Sequence, residues 1–329
     1  MTLLSGIPLR DLSTVFGIAP TVFWPYFAGM VLSVIGLTMI VREEMPRARG
    51  LDKALTLGRL LLVVPMAVFG AEHFMFWREM LPMVPAWIPW HPFWIFLVGT
   101  ALILAATSII TKRLAGLAAV LLAAMIFSFV LLIHIPAAVA THGDRFRVAV
   151  ALRDTSFSAG ALALAMAQAQ HSSRHTPAML RLVRVVFGVV SVVFGMEHFL
   201  HPQNVPVVPL ELLTPAWIPA HLVLSYVTGM VMIACGVGMV AAAKARLAAT
   251  WLGIYSGAVV LLVYLPILLA KPADIGVGVN YFADTMVFCG CALVLAEVLP
   301  RDERKDEALP AESDNVRATA SPSEGVSAG

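Results

Sequence analysis

The sequence predicts an all-α polytopic membrane protein: two tandem, parallel four-helix transmembrane bundles preceded by one N-terminal transmembrane helix. Three observations carry that reading. The 329 residues are 60% hydrophobic and only 13% charged, with a mean hydropathy of +0.87, too little charge to cover a soluble surface of this size. Apolar runs long enough to cross a hydrocarbon core of ~30 Å as helices recur along the chain. The third observation is an internal repeat of over a hundred residues.

Nine spans follow in order, at 19–41, 57–77, 92–111, 114–138, 150–169, 178–200, 221–243, 247–270 and 281–300. None shows the strict alternation that a membrane β-barrel strand requires. The N-terminus lacks a basic stretch and a small-residue cleavage site ahead of an apolar core, so the first span is expected to act as its own insertion signal. The chain divides into an N-terminal segment (1–50) with one span, a first repeat (51–170), a second repeat (171–300) and a tail (301–329) rich in Asp, Glu, Lys, Ser, Pro and Ala, expected to be disordered. Sixteen of the 22 Lys and Arg residues fall on one side of the spans, with the C-terminal tail. The positive-inside rule then puts the N-terminus outside and the C-terminus in the cytoplasm, with the chain in the inner (plasma) membrane. The lipid bilayer is the expected surround, and a net charge of +2 gives no reason to expect a nucleic-acid partner.

The repeat is explicit. Phe69-Gly-Ala-Glu-His-Phe74 recurs as Phe194-Gly-Met-Glu-His-Phe199, and Pro85-Ala-Trp-Ile-Pro89 recurs as Pro215-Ala-Trp-Ile-Pro219. Gly99, Pro136, Asp154-Thr155 and Gly160 match Gly229, Pro266, Asp284-Thr285 and Gly290. The offset grows from 125 to 130, so the second copy carries five extra residues between His198 and Pro215. Each copy has four spans, so both share one orientation.

Ionisable residues inside spans are costly and usually face a bundle interior or a wet cavity. Glu72 and His73 lie thirteen and fourteen residues beyond Arg59, placing Glu72 about 20 Å along the helix, in the outer half of the bilayer. Glu197 and His198 repeat the arrangement. Asp154 and Asp284 enter the fourth span of each copy at similar depth and are expected to meet His73 and His198 within their own bundles. Such carboxylate–imidazole groups either relay protons or simply tie helices together by hydrogen bonds. These six residues are the candidate proton-exchange cluster.

Six more are candidate pocket-lining residues. In the Pro-Ala-Trp-Ile-Pro segments, two prolines four apart forbid a regular helix, predicting a loop over the outer mouth with Trp87 and Trp217 at the interface; an aromatic anchor without a ligand is the plainer alternative. His91 and His221 start the following span, where an interfacial cap and a ligand to haem or metal, paired with His73 or His198, are the competing roles. His134 is replaced by Tyr264 in the second copy, which argues against obligatory metal ligation there and suggests that the copies have diverged. Cys235, Cys289 and Cys291 form no CxxC and read as small reduced hydrophobes. No P-loop, HExxH, GxSxG or dinucleotide fingerprint is present, and Gly276-Val-Gly278 reads as part of an outer loop.

The four-span unit, the Gly-x-Glu-His-Phe end of its first helix and the proline-rich outer loop resemble the DoxX-like family, over about 57–168 and again over 178–300. Members are small four-helix membrane proteins, and the DoxD relatives are associated with thiosulfate:quinone oxidoreductase and a terminal quinol oxidase. The resemblance therefore implies a quinone-linked redox role, with Glu72, His73, Asp154, Glu197, His198 and Asp284 as the polar cluster. The fusion of two units and the added N-terminal span depart from the family pattern. With no flavin, nicotinamide or cysteine-pair motif, electrons require a redox partner subunit or a bound haem, of which the partner is preferred. The alternatives are a small-molecule binding or transport module with its pathway between the bundles, and a structural subunit of a membrane complex whose polar residues are helix glue.

Overall fold

Apolar sequence of this length leaves the backbone no hydrogen-bond partner in lipid except itself, so it becomes helix. In the computed structural model, which describes residues 13, 16–169 and 177–301, nine helices among the described residues are long and apolar enough to cross a membrane. They are α1 (Pro20–Glu44), α2 (Asp52–Met75), α3 (His91–Ile110), α4 (Ala115–Ala140), α5 (Arg145–Gln168), α6 (Pro177–Leu200), α7 (His221–Val240), α8 (Ala245–Ala270) and α9 (Ile275–Val298). The tail expected to be disordered lies, beyond Arg301, outside the described residues. The spans read from the sequence agree to within a few residues except at the starts of α2, α5 and α9, which begin five or six residues earlier than read. Arg145 and Arg147 look like loop residues but are helical, and Gly276 and Gly278 sit in a wide helical turn, Ile275–Val279, rather than a loop. The outward faces carry Leu104, Leu121, Val139, Leu200 and Leu262, each more than half exposed. An apolar surface that extensive belongs against lipid, and the chain is a multi-pass membrane protein.

Helices adjacent in sequence pack side by side within each copy: α2 on α3, α3 on α4 and α4 on α5, and likewise α6 on α7, α7 on α8 and α8 on α9. Each copy is closed by the other. Helix α2 lies along α9 and α6 along α5, while α5 and α9 also touch, and contact between the first and fourth helices of one copy is slight. Small residues permit these crossings. A Cβ on Gly70 would sit 2.8 Å from the Gly99 carbonyl, and one on Gly195 would sit 2.9 Å from the Gly229 carbonyl, the same crossing in both copies. Helix α1 lies outside this ring, against α2, and its Tyr26 hydroxyl donates to the Pro272 carbonyl (2.8 Å).

Two local features recur and shape the interior. Helices α4 and α8 each contain a π-type turn, Val130–His134 and Val260–Tyr264, just ahead of Pro136 and Pro266. A proline inside a helix withholds one N–H and crowds the preceding turn, and a widened turn accommodates it. Both turns end on the residue that differs between copies, His134 or Tyr264. At the arginine-rich end, Arg59 pairs with Glu44, Lys112 with Glu43 (2.7 Å) and Arg246 with Asp52 (2.8 Å), tying α1, α2, the α3–α4 loop and α8 together.

Candidate functional site: a carboxylate cluster around Arg153

The site lies toward the end of the bundle opposite the arginine-rich one, where α2, α4, α5 and α9 converge. Arg153, eight residues into α5, is its centre. Its Nε donates to Asp154 Oδ1 (2.8 Å) and its Nη1 to Asp284 Oδ2 (2.6 Å). The guanidinium also lies 5.7 Å from the centre of the Phe157 ring. His134 Nε2 lies 2.8 Å from Asp154 Oδ2. On the facing wall, Glu72 of α2 is 4% exposed. With its amide nitrogen turned toward the carboxylate, Asn280 of α9 donates to both Glu72 oxygens at 3.0 and 2.9 Å.

Glu72, Asp154 and Asp284 thus share one interior, which departs from the expectation of a separate cluster in each bundle, with Asp154 meeting His73 and Asp284 meeting His198. Asp154 is held by His134 and Arg153, not by His73. Asp284 takes its counter-ion from α5 of the other copy. The cause is the packing: each copy's fourth helix crosses the other copy's first helix, so the neighbours on that side come from across the repeat boundary. The same exchange holds the acids of the Glu-His pairs. Glu72 on α2 is bound by Asn280 of α9, and Glu197 on α6 by Arg145 of α5 (3.0 Å).

These groups border a cavity of 230 Å³ lined by Glu72, His73, Arg153, Asp154, Asn280 and Asp284 on its polar side and by Met66, Phe69, Met80, Leu102, Ile126, Phe129 and Phe157 on its apolar side. His73 borders the cavity. Its Nδ1 donates to the Phe69 carbonyl (2.7 Å), which can only accept, leaving Nε2 as the lone-pair nitrogen of a neutral ring.

In the second copy the space beside His198 is filled. The five extra residues let 203–214 fold inward as a small hairpin. Thr214 N donates to the Gln203 carbonyl (2.8 Å) and Val205 N to the Leu212 carbonyl (2.9 Å), with Asn204 and Leu213 bridged between them. Val205, Val207, Val208 and Leu210 are buried to 3% exposure or less. Val207 N donates to His198 Nε2 (2.9 Å), and the Tyr264 hydroxyl donates to the Pro206 carbonyl (2.6 Å). Arg145 adds bonds to the Pro209 (3.0 Å) and Leu210 (2.8 Å) carbonyls. Val207 itself has φ +77°, a left-handed backbone for a β-branched residue, the kind of strain that persists only when surrounding contacts hold it.

Four residues read as pocket lining sit elsewhere. The tight turns closed by Ile88 N on the Pro85 carbonyl (2.9 Å) and Ile218 N on the Pro215 carbonyl (3.0 Å) aim Trp87 and Trp217 outward, 71% and 56% exposed. His91 and His221 are half-buried at the starts of α3 and α7, and none of the four lines the cavity; neither do His134, which holds Asp154, and Tyr264, which holds the hairpin. Arg153 and Asn280 are the site residues that sequence reasoning missed. Arg153 beside Asp154, just inside a span, was the only signal available, because a charge within a span needs a buried partner. Asn280 offered none. Cys289 and Cys291 are buried and Cys235 is half-buried, all as free thiols. Among the described residues no group of three or more His, Cys, Asp or Glu side chains is placed to hold a metal ion. Comparison with protein-family models, with curated proteins and with solved structures finds no match to this chain.

Proposed function

We propose that this chain is a duplicated DoxX-like protein of the plasma membrane, with its N-terminus outside and its C-terminus in the cytoplasm, whose first copy binds the headgroup of a membrane quinone. The observation that supports this is the cavity at Arg153, where a wall of three carboxyl groups, an arginine and an imidazole faces a wall of phenylalanine, leucine, isoleucine and methionine. Apolar lining with a few convergent polar groups is the usual character of a small-molecule site. An apolar cavity of about 150 Å³ accepts a benzene ring, so 230 Å³ accommodates a substituted one.

Interconversion of a quinone and its quinol moves two protons and two electrons. The carboxyl groups and His73 are suited to exchange the protons. The electrons pass to or from a redox group on a partner subunit, since the three cysteines form no disulfide or CxxC pair. Equilibrium binding of a short-tailed benzoquinone, in both redox states, to the purified protein tests the reading. Binding of either form, weakened tenfold or more by Glu72→Gln or Asp154→Asn, supports it. Absence of binding by both forms removes it.

A further inference from the structure

The two copies hold the same histidine in the same way and differ in what meets it. His198 Nδ1 lies 2.5 Å from the Phe194 carbonyl and His73 Nδ1 lies 2.7 Å from the Phe69 carbonyl, at matching positions of the repeat. A carbonyl oxygen cannot donate, so in both rings Nδ1 carries the hydrogen and the neutral ring's Nε2 is an acceptor. In the second copy that acceptor is filled by the chain's own Val207 N–H. The peptide from Pro206 to Val207 presents an acceptor to Tyr264 and a donor to His198, with the side chains of Val205, Val208 and Leu210 buried behind it. That is the outline of a ligand: a small apolar body with a donor and an acceptor on its edge.

In the first copy the corresponding connection is five residues shorter. It forms the helical turns Trp77–Met80 and Leu81–Met83, and Met80 is its only residue among those lining the cavity. His73 borders the open space instead of a peptide. Arg153, where the second copy has Ala283, puts a cationic donor on the opposite wall.

We infer that residues 203–214 are a tethered occupant of the second copy's site, and that the first copy's site selects molecules that donate an O–H or N–H to His73 Nε2. Resting on the quinone-headgroup reading above, this names the form retained: the quinol, whose hydroxyl donates, rather than the quinone, whose oxygens only accept. The space beside His198 in the second copy then takes no quinol, leaving His73 as the open imidazole of the pair.

Three probes of one shape separate the possibilities: a short-tailed benzoquinone, its quinol, and the dimethyl ether of that quinol, each titrated onto the full-length protein in detergent under anaerobic conditions. The expected result is one quinol per chain, bound at least tenfold more tightly than the quinone or the ether, with the preference lost in His73→Phe. Equal affinity of the wild-type protein for all three overturns the donor preference while leaving the quinone site standing. Two quinols per chain overturn the plug. No binding by any probe overturns both this inference and the reading on which it rests. The wild-type titrations decide each of these outcomes even if His73→Phe proves unstable.

Discussion

Arg153 and Asp284 come from different copies of the repeat, 131 residues apart, and meet at 2.6 Å inside the bundle. The contact is asymmetric. Asp154 and Asp284 are repeat-related, but the residue preceding Asp284 is Ala283, so one arginine serves both acids. Duplication supplied two carboxylates at the α5–α9 contact, and a single cation makes their closeness tolerable.

Removing that cation should therefore be severe. Arg153→Met leaves two buried carboxyl groups facing each other across α5 and α9, and loss of one partner of a buried ion pair costs about 3–5 kcal/mol. Denaturant unfolding in mixed micelles should show a loss of that order, and adding Asp284→Asn to Arg153→Met should recover part of it. A double variant no more stable than the single one would mean that Asp284 does not depend on Arg153.

The two histidines should separate stability from binding. His198→Ala leaves the Val207 N–H, fully buried in the plug, without its acceptor, a desolvation cost of about 1–3 kcal/mol. His73→Ala removes a ring whose Nε2 accepts no hydrogen bond among the described residues, so its cost should be smaller. Melting temperatures of the two variants should therefore fall in the order His73→Ala above His198→Ala, whereas quinol affinity should drop only in His73→Ala. The reverse order would contradict the asymmetry between filled and open copies.

Close helix crossings give a steric prediction. A Cβ on Gly290 of α9 would collide with the backbone nitrogen of Leu62 and lie 2.8 Å from the Gly58 carbonyl oxygen, both on α2. Backbone cannot step aside as a side-chain tip can, so Gly290→Ala must part α2 from α9 and with them Glu72 from Asn280. Gly276→Ala, with nothing within 4 Å, is the control. Size-exclusion chromatography should show loss of monodisperse protein for Gly290→Ala and a wild-type profile for Gly276→Ala.

Much of this was legible in the sequence because lipid admits so few solutions. Apolar runs defined the helices, and the depth of Glu72, Asp154 and Asp284 placed them inside the bundle. The partner of each was not legible. A repeat sequence is satisfied equally whether a copy's first helix packs on its own fourth helix or on the other copy's, because the apolar faces are the same. Hence His73, rather than His134 or Arg153, looked like the partner of Asp154. Arg153 is only the fourth residue of the span read at 150–169, too near its start to stand apart from the interfacial charges Arg145 and Arg147, so its burial was not legible. The insertion before Pro215 was visible as length. Its inward fold was signalled only by the Val205-Pro-Val-Val-Pro-Leu210 stretch, whose apolar residues are out of place in an exposed loop.

The proposed orientation can be checked without reference to function. Thr141 lies in the exposed turn between α4 and α5, and Arg113 in the exposed turn between α3 and α4, at opposite ends of the bundle. Cys289 and Cys291 are buried and Cys235 is half-buried within a span, so the native thiols give little background to an aqueous reagent. The proposed orientation, drawn from the excess of Lys and Arg on the Arg113 side, puts that side in the cytoplasm. In intact cells a membrane-impermeant maleimide should label Thr141→Cys and leave Arg113→Cys untouched, and in permeabilised cells it should label both. Labelling of Arg113→Cys alone in intact cells would invert the topology and move the Arg153 cavity to the cytoplasmic leaflet, where its ligand would have to be reached from the other side.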